Sequence, residues 1–435
     1  MGVETIPGSQ AKYALISYDK SGSEREPNSA QPTSAVVLER AANTPVTDVF
    51  FFCHGWKGDV PAAKDQYNRW MGALMASPDL ARASQIFPNF SPMLVGLHWP
   101  SQPWGDEDVG ESGNSFGPSA AGKSPSDLLA HLTSILGDTE QIVAPLKVII
   151  EGARRNAGAS TLPPEVRKAY KDLNDALGLG SQGVGGPPDA DREGFDPDET
   201  ADEGASSFGD FNLNGLLGPL RQLSYWTMKK RARSIGEGGI HKFLVELQKA
   251  TATKGTRIHL MGHSFGTIVV SSMIGGPDAQ ASLPRPIDSV TLVQGAVSLW
   301  CYANDIPMKR GTKGYFNRII KDGKVRGPMS ITQSKFDKAV GKLYPFASRI
   351  NGSAAFDVAT FPEYGAIGAF GIQGVPQNAL TMLEADKPYS LAKGQIYNVE
   401  SSKFICKGNG LSGAHSDIAG PQVAHLIWET ALASK

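Results

Sequence analysis

Residues 257–270 read Arg-Ile-His-Leu-Met-Gly-His-Ser-Phe-Gly-Thr-Ile-Val-Val. The mostly apolar run at 257–261 is short enough for a buried strand, and the small and β-branched residues after Gly266 suit a tightly packed helix. Between them, Gly262-His263-Ser264-Phe265-Gly266 fits G-x-S-x-G. A serine on a sharp strand-to-helix turn stands exposed above the sheet, and the turn needs small residues two positions to either side. The pattern alone is weak in a chain with 49 glycines, and Gly113-Asn-Ser115-Phe-Gly117 fits it too. Ser115 follows Gly-Asp-Glu-Asp and Gly-rich sequence, and Gly-Pro-Ser comes after it. Only Ser264 has the strand and helix that the turn requires.

The same rhythm extends in both directions. Upstream, Ala11–Tyr18, Ser34–Glu39 with Val36-Val37-Leu38, Asp48–Cys53 and Met93–Trp99 read as strands. Downstream, Ser289–Gln294, Pro328–Thr332 and Gln395–Val399 do so. Pro61–Ala76, Arg231–Lys249 and Gln422–Leu432 carry helical spacing. Unbroken apolar strands alternating with helices predict an α/β fold, a doubly wound and mostly parallel sheet covered on both faces. Residues 101–235 break the rhythm. They hold no convincing strand, but Asp127–Arg155 and Pro164–Leu177 are helical in pattern. Ser181–Asp210 carries nine acidic residues against Arg192 and reads as a mobile, solvated loop. The expected organisation is a core of 1–100 and 236–435, interrupted by a helical cap at 101–235 with a flexible acidic loop at 181–210.

Composition narrows the function. In 435 residues, 42 Lys and Arg balance 43 Asp and Glu, which leaves no basic field for nucleic acid. Cys53, Cys301 and Cys406 are odd in number and widely spaced, so neither a disulfide framework nor a zinc site is expected. No signal-peptide pattern opens the chain and no run suits a transmembrane helix, so a cytoplasmic location is the expectation. Gly117–Ser124 matches the phosphate-binding pattern G-x-x-x-x-G-K-[ST] but lacks the strand that must precede it. Gly178-Leu-Gly180-Ser-Gln-Gly183 matches G-x-G-x-x-G but follows a helix. No cofactor and no metal are expected.

A serine nucleophile needs a base, an acid that orients it, and donors for the oxyanion. Among eight histidines, His415 in Gly413-Ala-His-Ser-Asp417 lies between the last strand and the last helix, the expected place in a Ser–Asp–His chain order. His425 lies within the terminal helix and reads as packing. His259 and His263 belong to the elbow strand and read as packing or local orientation. Asp337, just beyond the strand 328–332, is the preferred acid, with Asp305, Asp357, Asp386 and Glu400 as rivals. Its simpler reading is a helix cap. Oxyanion donors are expected from the backbone N–H groups of Phe265 and of Trp56, the latter in the loop His54-Gly55-Trp56 after an early buried strand.

Together, His54-Gly55-Trp56, the elbow at Ser264, Asp337 and Gly413-Ala-His415 resemble the α/β-hydrolase family of serine hydrolases, which includes esterases and lipases. The resemblance covers about 1–100 and 236–435 and leaves 101–235 aside, where such enzymes often carry a cap. It implies hydrolysis of carboxylic esters through an acyl-enzyme on Ser264, with an apolar acyl-ester or other small-molecule substrate. An amidase or peptidase on the same triad, a non-catalytic interaction protein on the same scaffold, and a nucleotide binder at 117–124 stand as alternatives. Trp99, Trp104, Phe116 and Trp226 are candidates to line an apolar site, with core packing as their simpler reading. Oligomeric state is left open.

Overall fold

The computed structural model of the protein describes residues 2–25, 31–56, 60–101, 124–155, 161–199, 213–342, 361–408 and 412–435. Strands β1 (Val3–Thr5), β2 (Lys12–Ser17), β3 (Asp48–Cys53), β4 (Pro92–His98), β5 (Arg257–His263), β6 (Ser289–Val293), β7 (Met329–Gln333), β8 (Asn378–Thr381) and β9 (Ile396–Glu400) form one sheet. Its order is β1-β2-β4-β3-β5-β6-β7-β9-β8, and β1 alone pairs antiparallel. The architecture is α/β. The central strands are apolar without alternation because both faces are covered: every residue of β3 is buried, and all of β5 after Arg257. Helices Val60–Ala76, Asp79–Ile86 and Pro421–Leu432 pack together, and Thr33–Asn43, His241–Ala250 and Gly266–Gly275 form a second set.

The chain divides into two compact units, residues 1–101 with 231–435 and residues 102–230. The sheet belongs to the first. There the Nη1 of Arg231 donates to the carbonyl of Pro100 at 3.0 Å, so the two stems flanking the insertion meet. Between Ile235 and His241 the helix passes through a π-turn at Gly236–Ile240, where Gly238 leaves helical dihedrals. Gly236 lies against Val269 and Ser272, with no room for a Cβ.

In the second unit, helices Pro125–Leu136, Glu140–Arg155 and Pro164–Ala176 bury one face each. Gly152 permits close approach, because a Cβ there would run into Val166. The acidic segment differs from its expectation. Residues 181–199 fold into packed turns with Asp189, Asp191 and Arg192 buried, while 200–210 lie outside the described residues. Arg192 accounts for the difference. It donates to Asn174 Oδ1 at 2.9 Å and to the Gly180 carbonyl at 3.2 Å, and its guanidinium lies over the Trp226 ring. Burial pushes its pKa down to about 10.

Other local readings need correction. Ser34–Glu39 is not a strand but part of the helix Thr33–Asn43, whose buried residues Thr33, Val37 and Ala41 recur every four positions. The helical stretch expected over Asp127–Arg155 comes as two helices, parted at Gly137, which has φ 126°. Trp99 and Trp226 are core residues, less than 2% exposed, and Trp104 and Phe116 lie outside the described residues.

Candidate active site

The strand order reverses between β3 and β5, since the chain adds β4 on one side of β3 and β6 and β7 beyond β5. Loops leaving the carboxyl ends of two such strands diverge and open a crevice, the place where open α/β sheets bind ligands. His54-Gly55-Trp56 follows β3 directly and Ser264 follows β5 directly.

Ser264 has φ 54°, in the left-handed region. A non-glycine residue there costs about 1–2 kcal/mol, so the turn must be held from outside. Its N–H donates to Val293 O at 3.2 Å, and its carbonyl accepts from Ala296 N–H at 3.2 Å and Thr267 N–H at 3.1 Å. Gly262 and Gly266 permit the turn: a Cβ on Gly262 would strike the Gly266 backbone, and one on Gly266 the carbonyl of Cys53.

The structure brings Ser264, His415 and Asp337 together. His415 Nε2 lies 2.8 Å from Ser264 Oγ, and His415 Nδ1 lies 2.8 Å from Asp337 Oδ2. The segments bearing His415 and Asp337 are themselves joined, Ala414 N–H donating to Phe336 O at 2.9 Å. Asp337 also takes Val340 N–H on Oδ1 at 3.2 Å, so the helix-cap reading and the triad reading describe the same carboxylate. The rivals lie elsewhere. Asp305 accepts from Gly311 N–H and pairs with Arg310, Asp386 pairs with Lys387, and Glu400 accepts from Ser402 N–H. Asp357 lies outside the described residues.

Gly55 presses against the serine: a Cβ there would stand 2.5 Å from Ser264 Cβ and 3.2 Å from its Oγ. The rings of Trp56 and Phe265 stack at 5.4 Å and 14°. His54 Nδ1 lies 2.7 Å from the Gly55 carbonyl, which only accepts, so Nδ1 carries the hydrogen. Its Nε2 is then the acceptor for His98 Nδ1–H at 3.0 Å. In a trans peptide C=O and N–H point in opposite directions, so fixing the Gly55 carbonyl also aims the Trp56 N–H. Burial, with a smaller contribution from the Arg25 charge, pushes the His98 pKa down to about 4, which keeps His98 neutral at ordinary pH.

Several members of the arrangement escape sequence reasoning. Gln66 Nε2 lies 3.0 Å from His263 Nδ1, and His263 Nε2 lies 2.9 Å from the His415 carbonyl. Gln294 Nε2 donates to Asp337 Oδ2 at 2.8 Å. Glutamines carry no sequence signal of this kind, because their partners come from distant strands.

Asp79, His425 and Glu429 place one potential ligand atom each within 4.8 Å of one another. Arg82 already pairs with both carboxylates, and His425 sits 2.7 Å from Asp79 and 2.9 Å from the Lys387 carbonyl. A cation would have to displace the guanidinium, so these residues fit an internal ion-pair network better than a metal centre. Of the phosphate-loop match, 117–123 lie outside the described residues, and Ser124 caps the helix Pro125–Leu136 in a capping box with Asp127. Among the described residues no helix is long and apolar enough to cross a membrane.

No protein-family model matches the chain, and neither the curated proteins nor the solved structures give a match.

Proposed function

We propose that this chain is a serine hydrolase of the α/β-hydrolase type that cleaves carboxylic esters. The observation that carries the reading is the pair of 2.8 Å contacts that link Ser264 Oγ, His415 and Asp337 in series. His415 Nε2 takes the Oγ proton as Oγ attacks the ester carbonyl, and Asp337 holds the other ring nitrogen and stabilises the imidazolium. The carbonyl electrons move onto oxygen, where N–H groups of Phe265 and Trp56 are the proposed donors, each worth about 3 kcal/mol in such sites. Collapse expels the alcohol with the proton from His415. Water then repeats the cycle on the acyl-enzyme, with His415 as base.

Residues 102–230 are the proposed cap. In support, the chain leaves the sheet unit beyond the carboxyl end of β4, and Arg231, where that unit resumes, bonds to Pro100 at the same end. Replacing 102–230 by a short linker should alter the preference across a p-nitrophenyl ester chain-length series more than it alters labelling of Ser264.

The nucleophile is tested with a fluorophosphonate probe and p-nitrophenyl acetate. Wild type should label and turn over, and Ser264→Ala should do neither while unfolding as wild type does. Wild-type turnover in a folded Ser264→Ala protein would end the reading.

A further inference from the structure

We propose that Gln294 is a positioning residue, its side-chain amide holding the Asp337 carboxylate in register with His415; this rests on the Ser264 reading above. Gln294 is fully buried and has φ 46°, a left-handed conformation unusual for a long side chain. Such an outlier persists only where its surroundings fix it. Here its N–H donates to Thr332 Oγ1 at 3.0 Å. On either side of it, Val293 O takes Ser264 N–H and Ala296 N–H reaches Ser264 O, so this turn grips the nucleophile's backbone. Gly295 O takes Gly368 N–H at 2.9 Å, and a Cβ on Gly368 would strike the Gln294 backbone.

The orientation of the amide follows from its partners. Thr332 Oγ1 accepts from the Gln294 N–H, and its own hydroxyl hydrogen goes to Gln294 Oε1 at 2.9 Å. That makes Oε1 the acceptor and turns Nε2 toward Asp337 Oδ2 at 2.8 Å and the Gly368 carbonyl at 3.4 Å. Asp337 Oδ2 thus meets two donors, Gln294 and His415, while Oδ1 meets Val340 N–H. Three donors fix the plane of the carboxylate. Without Nε2, rotation about the last side-chain bond would take Oδ2 off the line to His415 Nδ1.

The test uses two variants that suit this backbone. Gln294→Asn tolerates the left-handed region but is too short to reach Asp337. Gln294→Glu keeps the shape and replaces the donor by an acceptor. Gln294→Asn is expected to lower kcat on p-nitrophenyl acetate about 10- to 100-fold, with KM within about twofold of wild type. In an Asp337→Asn background the same change should have little further effect, because the residue acts through Asp337. Gln294→Glu should work best toward acid pH, where one proton shared by the two carboxyls restores a donor, and should lose activity as pH rises and that proton leaves. Wild-type kcat in Gln294→Asn, or an equal loss with Asp337 already replaced, or an unshifted pH profile in Gln294→Glu, would overturn the proposal. If Gln294→Asn does not fold, the near-isosteric Glu variant decides alone. Normal turnover in Ser264→Ala would instead strike the underlying function, so the two failures are distinct.

Discussion

His263 Nε2 stands 2.9 Å from the backbone carbonyl of His415, so the residue just before the serine holds the main chain of the proposed base. The carbonyl can only accept, which puts the His263 hydrogen on Nε2 and leaves Nδ1 to accept from Gln66. A chain from the helix Val60–Ala76 through the elbow strand therefore ends on the His415 loop.

His263→Phe keeps an aromatic ring against Trp70 and His415 but removes the donor. Turnover of p-nitrophenyl acetate should fall about tenfold with little change in KM, as for a base displaced by a fraction of an ångström. Unchanged kcat in steady-state assays would show that the contact plays no part in holding the base.

Asp337→Asn presents an N–H to His415 Nδ1 and favours the wrong tautomer. By analogy with other triads kcat should fall by about 10³- to 10⁴-fold at neutral pH. Asp305→Asn and Glu400→Gln should remain near wild type. A dead Glu400→Gln beside an active Asp337→Asn would move the acid to another strand.

Gly55→Ala pushes a methyl into the space of Ser264 Cβ. The loop must retreat, and with it the Trp56 N–H. Loss of about 100-fold or more in kcat is expected, the size seen when one oxyanion donor is removed. Thermal melting separates this from unfolding: activity should fall far more than stability. Turnover within threefold of wild type would remove the Trp56 N–H from the oxyanion site.

Stability should fall in mild acid because of His98. Its folded pKa lies near 4 against 6.5 unperturbed. The unfolded chain takes up a proton as pH drops below 6.5 and the folded chain does not until about pH 4. The stabilisation is therefore complete above pH 6.5 and is lost as pH falls toward 4, by at most about 3 kcal/mol. Asp48 acts lower down. Burial raises its pKa, but the hydrogen bond from His259 and the charges of His259 and Arg257 outweigh that and leave it lowered, so its contribution fades only below the ordinary carboxylate range. Urea denaturation from pH 7 to pH 4 should show a flatter profile for His98→Gln than for wild type. Parallel profiles would exclude His98 as the titrating group.

The elbow was legible because its constraints are local: strand, two glycines, serine and helix all lie between Arg257 and Gly275. Asp337 was legible from the strand that ends four residues before it, and His415 from chain order, between the last strand and the last helix. Gln66, Gln294 and the His54–His98 pair were not, since each gains its meaning from a partner 44 to 197 residues away, or 43 for Gln294 and Asp337. The strand β8 also escaped. Asn-Ala-Leu-Thr at 378–381 is an exposed edge with no apolar signature. Val36-Val37-Leu38 misled in the opposite sense: three consecutive apolar residues suggest a strand, while the spacing that decides the matter lies between Thr33, Val37 and Ala41.

The hydrogen bond from Arg231 to Pro100 bears on the order in which the chain assembles. β5 must enter beside β3, yet residues 102–230 are made in between. Stretching a closure from an ordinary turn of about eight residues to this length spans four doublings, an entropic cost of roughly 2.4 kcal/mol. An insertion that compacts while β5 is still being synthesised, with its flanking residues Pro100 and Arg231 joined, removes most of that search. The strand carrying Ser264 would then dock as though it followed β4 directly, and the long detour would leave the folding rate of the sheet nearly unchanged.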